Sequence, residues 1–355
     1  MNESIPQLTS MRFFWSIAIV YYHMRDYSSS IPQTGPILKL HLAVDFFFIL
    51  SGFILTLVYG ERFKSDTAST YDYLVARIAR IYPVHLTVML AFVVLVLAMS
   101  SLGMEFNAQR YRPIAFFWHI ALLDAWGFDD SLTWNYPAWS ISAEFAAYCL
   151  FPFIIGPIMR LRIPAAIISL LALCITFMLC NHLLDITSRT INFSIIRVIP
   201  EFIMGMLAAR LSGTPSPTLH ANFAFCLIAL LVSGLLLYEA PDEYTVVVSV
   251  ALIGLAPHIS GPLRSLLSWR PLVYLGAASY SLYMVHAFVL SIFYNAMKLP
   301  LLGSKLPVPF RDGICLALTV IVASMLFHFV ENPCRHIIRA AFTHFRGIPV
   351  AAEAK

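Results

Sequence analysis

The 355-residue sequence predicts an all-α integral membrane protein, a bundle of about ten transmembrane helices plus one short re-entrant or interfacial helix. Three observations carry that prediction. Hydrophobic residues make up 59% of the chain and charged residues 12%, against the roughly 25% charged share of ordinary soluble domains. Apolar runs close to the length that crosses about 30 Å of hydrocarbon recur along the whole chain. Basic residues collect between alternate runs, as they do in short cytoplasmic loops.

The runs lie at 10–27, 40–59, 83–103, 137–159, 163–182, 194–211, 221–238, 244–259, 273–296 and 313–333. The further stretch "PIAFFWHIALLDAWG" at 113–127 is short, interrupted by His119 and Asp124 and closed by "FDD", so its length suits an interfacial or re-entrant piece. Charge supports that reading. With 113–127 not crossing and the N-terminus inside, the cytoplasmic segments are 60–82 (Arg62, Lys64, Arg77, Arg80), 160–162, 212–220 beside Arg210, 260–272 (Arg264, Arg270) and a tail with Arg335, Arg339 and Arg346. The acidic "FDD" and "EAPDE" then fall outside. Both termini are expected inside. No connection is long enough for an independent unit, so residues 1–355 read as a single transmembrane domain with no appended soluble domain.

Composition also removes several functions. The net charge of +4 is too small and too dispersed for a nucleic-acid footprint. Cys149, Cys174, Cys180, Cys226, Cys315 and Cys334 lie in or beside apolar runs without CxxC or Cys/His spacing, so buried thiols are expected and no metal. The N-terminus lacks the pattern of a removable signal peptide, and the first run is expected to stay as an anchor.

Polar residues inside the runs point to a site. In "SMRFFWSIAIVYYHM", Arg12 and His23 are eleven steps apart, about three helical turns, and share one face about 16 Å apart. Snorkelling to the two interfaces is the alternative. "LAVDFFFILSGFILT" sets Asp45 at the outer end of the second run, at a depth similar to His23, followed by Ser51-Gly52. A carboxylate there would orient the imidazole of a general base, or else cap the helix or pair with a structural arginine. "YLVARIARIYPVH" places Arg77 and Arg80 on one helical face before Pro83 opens the next span. Alone they could be membrane anchors; beside Arg12 they make three guanidiniums at one entrance, suited to a polyphosphate. "NYPAWSISAEFAAYCLFP" carries Glu144 deep in a run, four residues from Ser140, and Trp139 before it. "LGAASYSLYMVHAFV" sets Ser279, Tyr283 and His286 on one inward stripe.

These clusters, in this order and over nearly the whole chain, resemble membrane acyltransferase family 3, the bacterial polytopic O-acyltransferases. The marks are the Arg12/His23 spacing, "VDFFFILSGFILT", "RIARIYP", "WSISAEF", "SYSLYMVH" and "FVENPCR". The resemblance implies transfer of an acyl group, most often acetyl, from cytoplasmic acyl-CoA to a hydroxyl of an extracytoplasmic glycan or glycolipid, in the bacterial cytoplasmic membrane. It carries the family's essential Arg and His onto Arg12 and His23, and its paired arginines onto Arg77 and Arg80. The usual bulky residue before the last-motif His is Val285 here.

Together these readings expect Arg12, Arg77 and Arg80 to hold the CoA phosphates. His23, oriented by Asp45 or Glu144, would work on the acceptor hydroxyl, by direct base catalysis or through an acyl-histidine. Trp139, Ser140, Ser279, Tyr283 and His286 are the expected substrate-binding wall. The rival reading is a proton-coupled transporter, which also uses intramembrane Asp, Glu, Arg and His. Against it, no pair of Gly/Pro-broken spans repeats in two halves.

Overall fold

The computed structural model describes residues 5–104, 107–129, 131–188, 194–298 and 306–345; Asp130 of "FDD" and Arg346 of the tail lie outside them. In chain order the helices are α1 (Pro6–Met24), α2 (Ala43–Lys64), α3 (Thr70–Ser101), α4 (Pro113–Ala121), α5 (Trp139–Arg160), α6 (Ile163–Leu184) and α7 (Ile195–Ser212). They continue with α8 (Leu219–Leu237), α9 (Asp242–Leu255), α10 (Gly261–Leu267), α11 (Arg270–Ala277), α12 (Ser279–Ala296), α13 (Val308–Leu326) and α14 (Asn332–Phe345). A π-helical turn at Phe327–Glu331 joins α13 to α14. No strand occurs among the described residues. Satisfying every backbone group within helices is what a lipid surround requires, and this is a multi-pass membrane protein.

Each of the ten expected runs falls in a helix, but they are not equal. By length and composition six are apolar enough to cross a membrane, or up to eight if the bent pairs α9/α10 (105°) and α11/α12 (61°) each count as one span. The remaining two, α1 and α7, bury polar and charged groups: Gln7, Ser10 and Ser16 on one, Arg197 and Glu201 on the other. Their surroundings are protein. The apolar stretch of α2 is 72% buried against 11% for α8, which sets α2 at the centre and α8 at the rim.

Close backbone contact holds the centre together. Gly52 of α2 lies against the Phe202 carbonyl of α7, and Gly205 of α7 against the Ile49 carbonyl of α2; a Cβ at either would stand 1.9 Å from that oxygen. Gly276 of α11 meets the Thr9 carbonyl of α1 at a matching 1.8 Å. Small residues at these crossings replace the hydrophobic driving force that lipid removes with dense van der Waals contact. Phe46, Phe48, Phe53, Phe92, Phe151 and Phe202 fill the space around them.

One expectation about an element is corrected. Pro83 does not open a span: α3 starts thirteen residues earlier, where the Ser69 side chain accepts the Asp72 N–H, and runs through the proline. Packed neighbours tolerate the donor that Pro83 withholds from the Ala79 carbonyl. Arg77, Arg80 and His85 therefore ride on one rigid helix. The 113–127 stretch is helical only as α4, after which Leu122 turns left-handed with φ 56°. His85, midway along α3, donates from Nε2 to the His119 carbonyl at 2.9 Å, which ties the segment to α3.

Candidate active site

A cavity of about 450 Å³ opens between α1, α2, α3, α5, α12 and α14. Its arginines are Arg12 from α1, Arg77 and Arg80 from α3, and Arg335 and Arg339 from α14; the carboxylate in its wall is Glu144. Five guanidiniums against one carboxylate describe an anion site. Arg12 reaches the wall because α1, otherwise too polar for lipid, is packed among helices. Arg77 lies over the rings of Tyr59, Tyr73 and Tyr148, at 5.7, 5.9 and 5.9 Å from their centres, a cage that holds the cation with no carboxylate. Arg80 pairs with Glu331, which also accepts from Ser281 Oγ at 2.6 Å. Glu331 sits on the π-helical turn, which rotates it toward α3.

Glu144 accepts hydrogen bonds from Ser51 Oγ and from the Tyr148 hydroxyl, the latter at 2.6 Å. Beyond it, the Ser140 hydroxyl donates to the Tyr283 hydroxyl at 2.7 Å, and Tyr283 to the Pro137 carbonyl at 3.0 Å. These two residues line the cavity where the α5 N-terminus meets α12. Ser279 lines it too, with an Oγ that is buried and without a partner.

His23 lies outside the cavity wall, on the far side of Tyr283. Its ring stacks on His286 with centres 5.2 Å apart and planes 25° apart, and meets the Tyr136 ring edge-on at 4.9 Å. The ring of Tyr283 is 5.6 Å from that of His286, so it stands between the cavity and the imidazole pair.

Of the eleven residues expected from sequence, Arg12, Arg77, Arg80, Ser140, Glu144, Ser279 and Tyr283 converge on the cavity. His23 and His286 come together next to it. Asp45 and Trp139 do not join. Asp45 is clasped bidentately by Arg197, Nε to Oδ1 at 2.7 Å and Nη2 to Oδ2 at 2.5 Å, both residues 1% exposed. It therefore does not orient His23; the alternative, a structural ion pair, is what forms. Trp139 lies under the same guanidinium at 5.6 Å and edge-on to Phe48, away from the cavity wall. Glu144 likewise spends its contacts on Ser51 and Tyr148, so neither carboxylate touches His23. Val285, where the usual residue is bulky, is buried and is not among the residues that line the cavity.

Sequence reasoning placed Arg335 and Arg339 only as tail charges and passed over Glu331. Two of these three stand inside the quoted "FVENPCR", which was a usable signal. Arg197 was equally visible as a charge near the start of an apolar run, with Glu201 four residues on. Tyr136 and Tyr148 carried no signal, since aromatics fill every span.

A sequence profile of the family described as Acyltransferase domain matches residues 5–329. The chain belongs to membrane acyltransferase family 3. Among its relatives, the chain is 29% identical over 373 residues to the putative peptidoglycan O-acetyltransferase YrhL of Bacillus subtilis, over 94% of this chain and 55% of YrhL. It is 26% identical to acyltransferase MdmB of Streptomyces mycarofaciens, over 94% of this chain and 92% of MdmB. It is 23% identical to O-acetyltransferase OatA of Staphylococcus aureus, over 97% of this chain and 59% of OatA. The chain thus spans little more than half the length of YrhL and OatA. No solved structure matches it.

Proposed function

We propose that this protein is a membrane O-acetyltransferase of the bacterial cytoplasmic membrane, with both termini cytoplasmic, that moves acetyl from cytoplasmic acyl-CoA to a hydroxyl of an extracytoplasmic glycan or glycan precursor. One observation carries the reading: a single cavity holds five arginines and ends at Ser140 and Tyr283, against the pair formed by His23 and His286. The names of YrhL and OatA, both O-acetyltransferases, support acetyl as the transferred group, and that of YrhL, a putative peptidoglycan O-acetyltransferase, supports a glycan acceptor.

Arg12, Arg77, Arg80, Arg335 and Arg339 hold the phosphates of CoA, and its extended arm leads toward Tyr283. His23, half-buried at the outer end of α1, removes the proton of the acceptor hydroxyl as that oxygen attacks the thioester carbonyl. The carbon–sulfur bond breaks, and the proton passes from His23 to the thiolate. The reaction consumes acetyl-CoA and hydroxyl and yields ester and free CoA. No metal enters this reading.

The test uses membranes containing the protein, labelled acetyl-CoA and the host envelope glycan, read as base-labile label and CoA release. Wild type transfers; His23→Ala transfers nothing but still binds donor. Arg77→Ala raises the acetyl-CoA requirement about tenfold or more, the loss expected for one charge-assisted phosphate contact. Label incorporation equal to that of membranes lacking the protein would overturn the transferase reading. Unaltered donor affinity in Arg77→Ala would remove the arginines from the donor site.

A further inference from the structure

With Asp45 bound to Arg197 and Glu144 to Ser51 and Tyr148, the base of the reaction proposed above has no carboxylate to orient it. The structure offers another neighbour. His286, fully buried, brings Nδ1 to 2.5 Å from the Tyr283 carbonyl. A carbonyl only accepts, so Nδ1 carries the hydrogen and Nε2 of the neutral ring carries the lone pair. Nε2 is itself buried and has no partner. A second proton there would be a buried donor with nothing to receive it, which disfavours the charged ring. One face of this locked, neutral ring lies parallel to His23.

We propose that His286 is the positioning residue for His23: its ring, fixed by the Tyr283 carbonyl, presents a neutral π face that sets the orientation of His23 and stabilises the imidazolium formed when His23 takes the acceptor's proton. The assignment rests on the transferase reading above. His286 does not touch the acceptor, because it is fully buried whereas His23 is not. The stacked arrangement also rules out a hydrogen bond between the rings, so the coupling runs through the face and not through a shared proton. The other groups around His23 fit this role. Tyr136 of the turn before α5 meets the ring edge-on, Tyr22 does so from the same helix at 5.0 Å, and Arg25 is drawn over the Tyr22 ring at 3.9 Å. Among the described residues no hydrogen bond or ion pair joins His23 to an acid, and of its three ring neighbours only His286 is stacked on it. A cation is stabilised by the face of a π ring, so removing that face lowers the pH at which the cation gives up its proton.

The experiment compares wild type, His286→Phe and His286→Leu in membranes, with labelled acetyl-CoA, following kcat/KM for base-labile label against pH, and donor binding in parallel. Phenylalanine keeps a flat face and leucine does not. The expected result is an ascending limb near its wild-type position in His286→Phe, and one shifted down by at least one unit with turnover reduced about tenfold in His286→Leu, donor affinity being the same in all three. A wild-type limb in His286→Leu overturns the proposal. So does an equal shift in both variants, since that would assign the effect to the ring nitrogen. If His286→Leu does not accumulate, His286→Phe decides alone: a wild-type limb supports the face, a shifted limb overturns it. Failure of the transferase reading looks different, because wild-type membranes would then incorporate no label at any pH.

Discussion

Asp45, Arg80 and Arg77 show how a charged residue takes its part from its partner. Asp45 is closed on both oxygens by Arg197, in a bond that fastens α2 to α7. Removing it with Asp45→Ala strips the buried guanidinium of both its hydrogen-bond acceptors and leaves it only Glu201 Oε1 at 3.8 Å, at a cost of about 3–5 kcal/mol. The expected outcome is a loss of folded protein in a thermal aggregation assay, with activity falling only in step with it; full stability with lost transfer would return Asp45 to the chemistry. Arg80, by contrast, is half neutralised by Glu331, whereas Arg77 faces only tyrosine rings. Arg77→Ala should therefore raise the donor requirement with little loss of stability, while Arg80→Ala strands Glu331 and should both raise the donor requirement and lower stability, the stability part being restored by Glu331→Gln. These roles were only half legible in sequence. Spacing within one helix, such as Arg12 to His23, survives folding because the helix repeat is fixed. Whether Asp45 meets His23 or Arg197 depends on how α1, α2 and α7 are rotated against one another, and no local pattern records that.

At the level of elements, sequence predicted that a helix would occupy each apolar run but misplaced where α3 begins. The proline at 83 looked like a start because proline suits the first turn; the true start at Thr70 is set by the weaker signal of a Ser69 cap. The crossing of α2 and α7 was hidden for a different reason. Gly52 and Gly205 lie far apart in the chain, and only the fold shows that each faces the other's backbone. Gly205→Leu should force those helices apart and leave little protein in the membrane, as measured by detergent-extracted yield, while Gly234→Leu on α8, where a side chain meets nothing, should be tolerated. Inserting one alanine after Ala18 turns His23 by about 100° relative to Arg12 while lifting it about 1.5 Å. That rotation takes the ring off His286, so transfer should collapse with the protein still inserted. Wild-type transfer in that variant would detach the two ends of α1 from one another.

For the whole molecule, the charge bias forecasts orientation. In a background with the six cysteines replaced, a cysteine at the exposed Glu239 should label from outside, and cysteines at the exposed Arg62 and Arg264 only after permeabilisation. The reverse pattern would invert the donor side. The bundle is also built unevenly, its centre fastened by Gly52, Gly205 and Gly276 and its rim made of lipid-facing helices such as α6 and α8. Its last turn has a practical outcome for engineering. The shared sequence profile stops at residue 329, but Glu331, Arg335 and Arg339 lie just past it, on the turn and helix that close the cavity. A chimera joined at that boundary would give Arg80 a foreign carboxylate, or none, and would exchange two arginines of the anion site without intending to. Grafts meant to swap acceptors while keeping the donor should place their seam beyond Arg339.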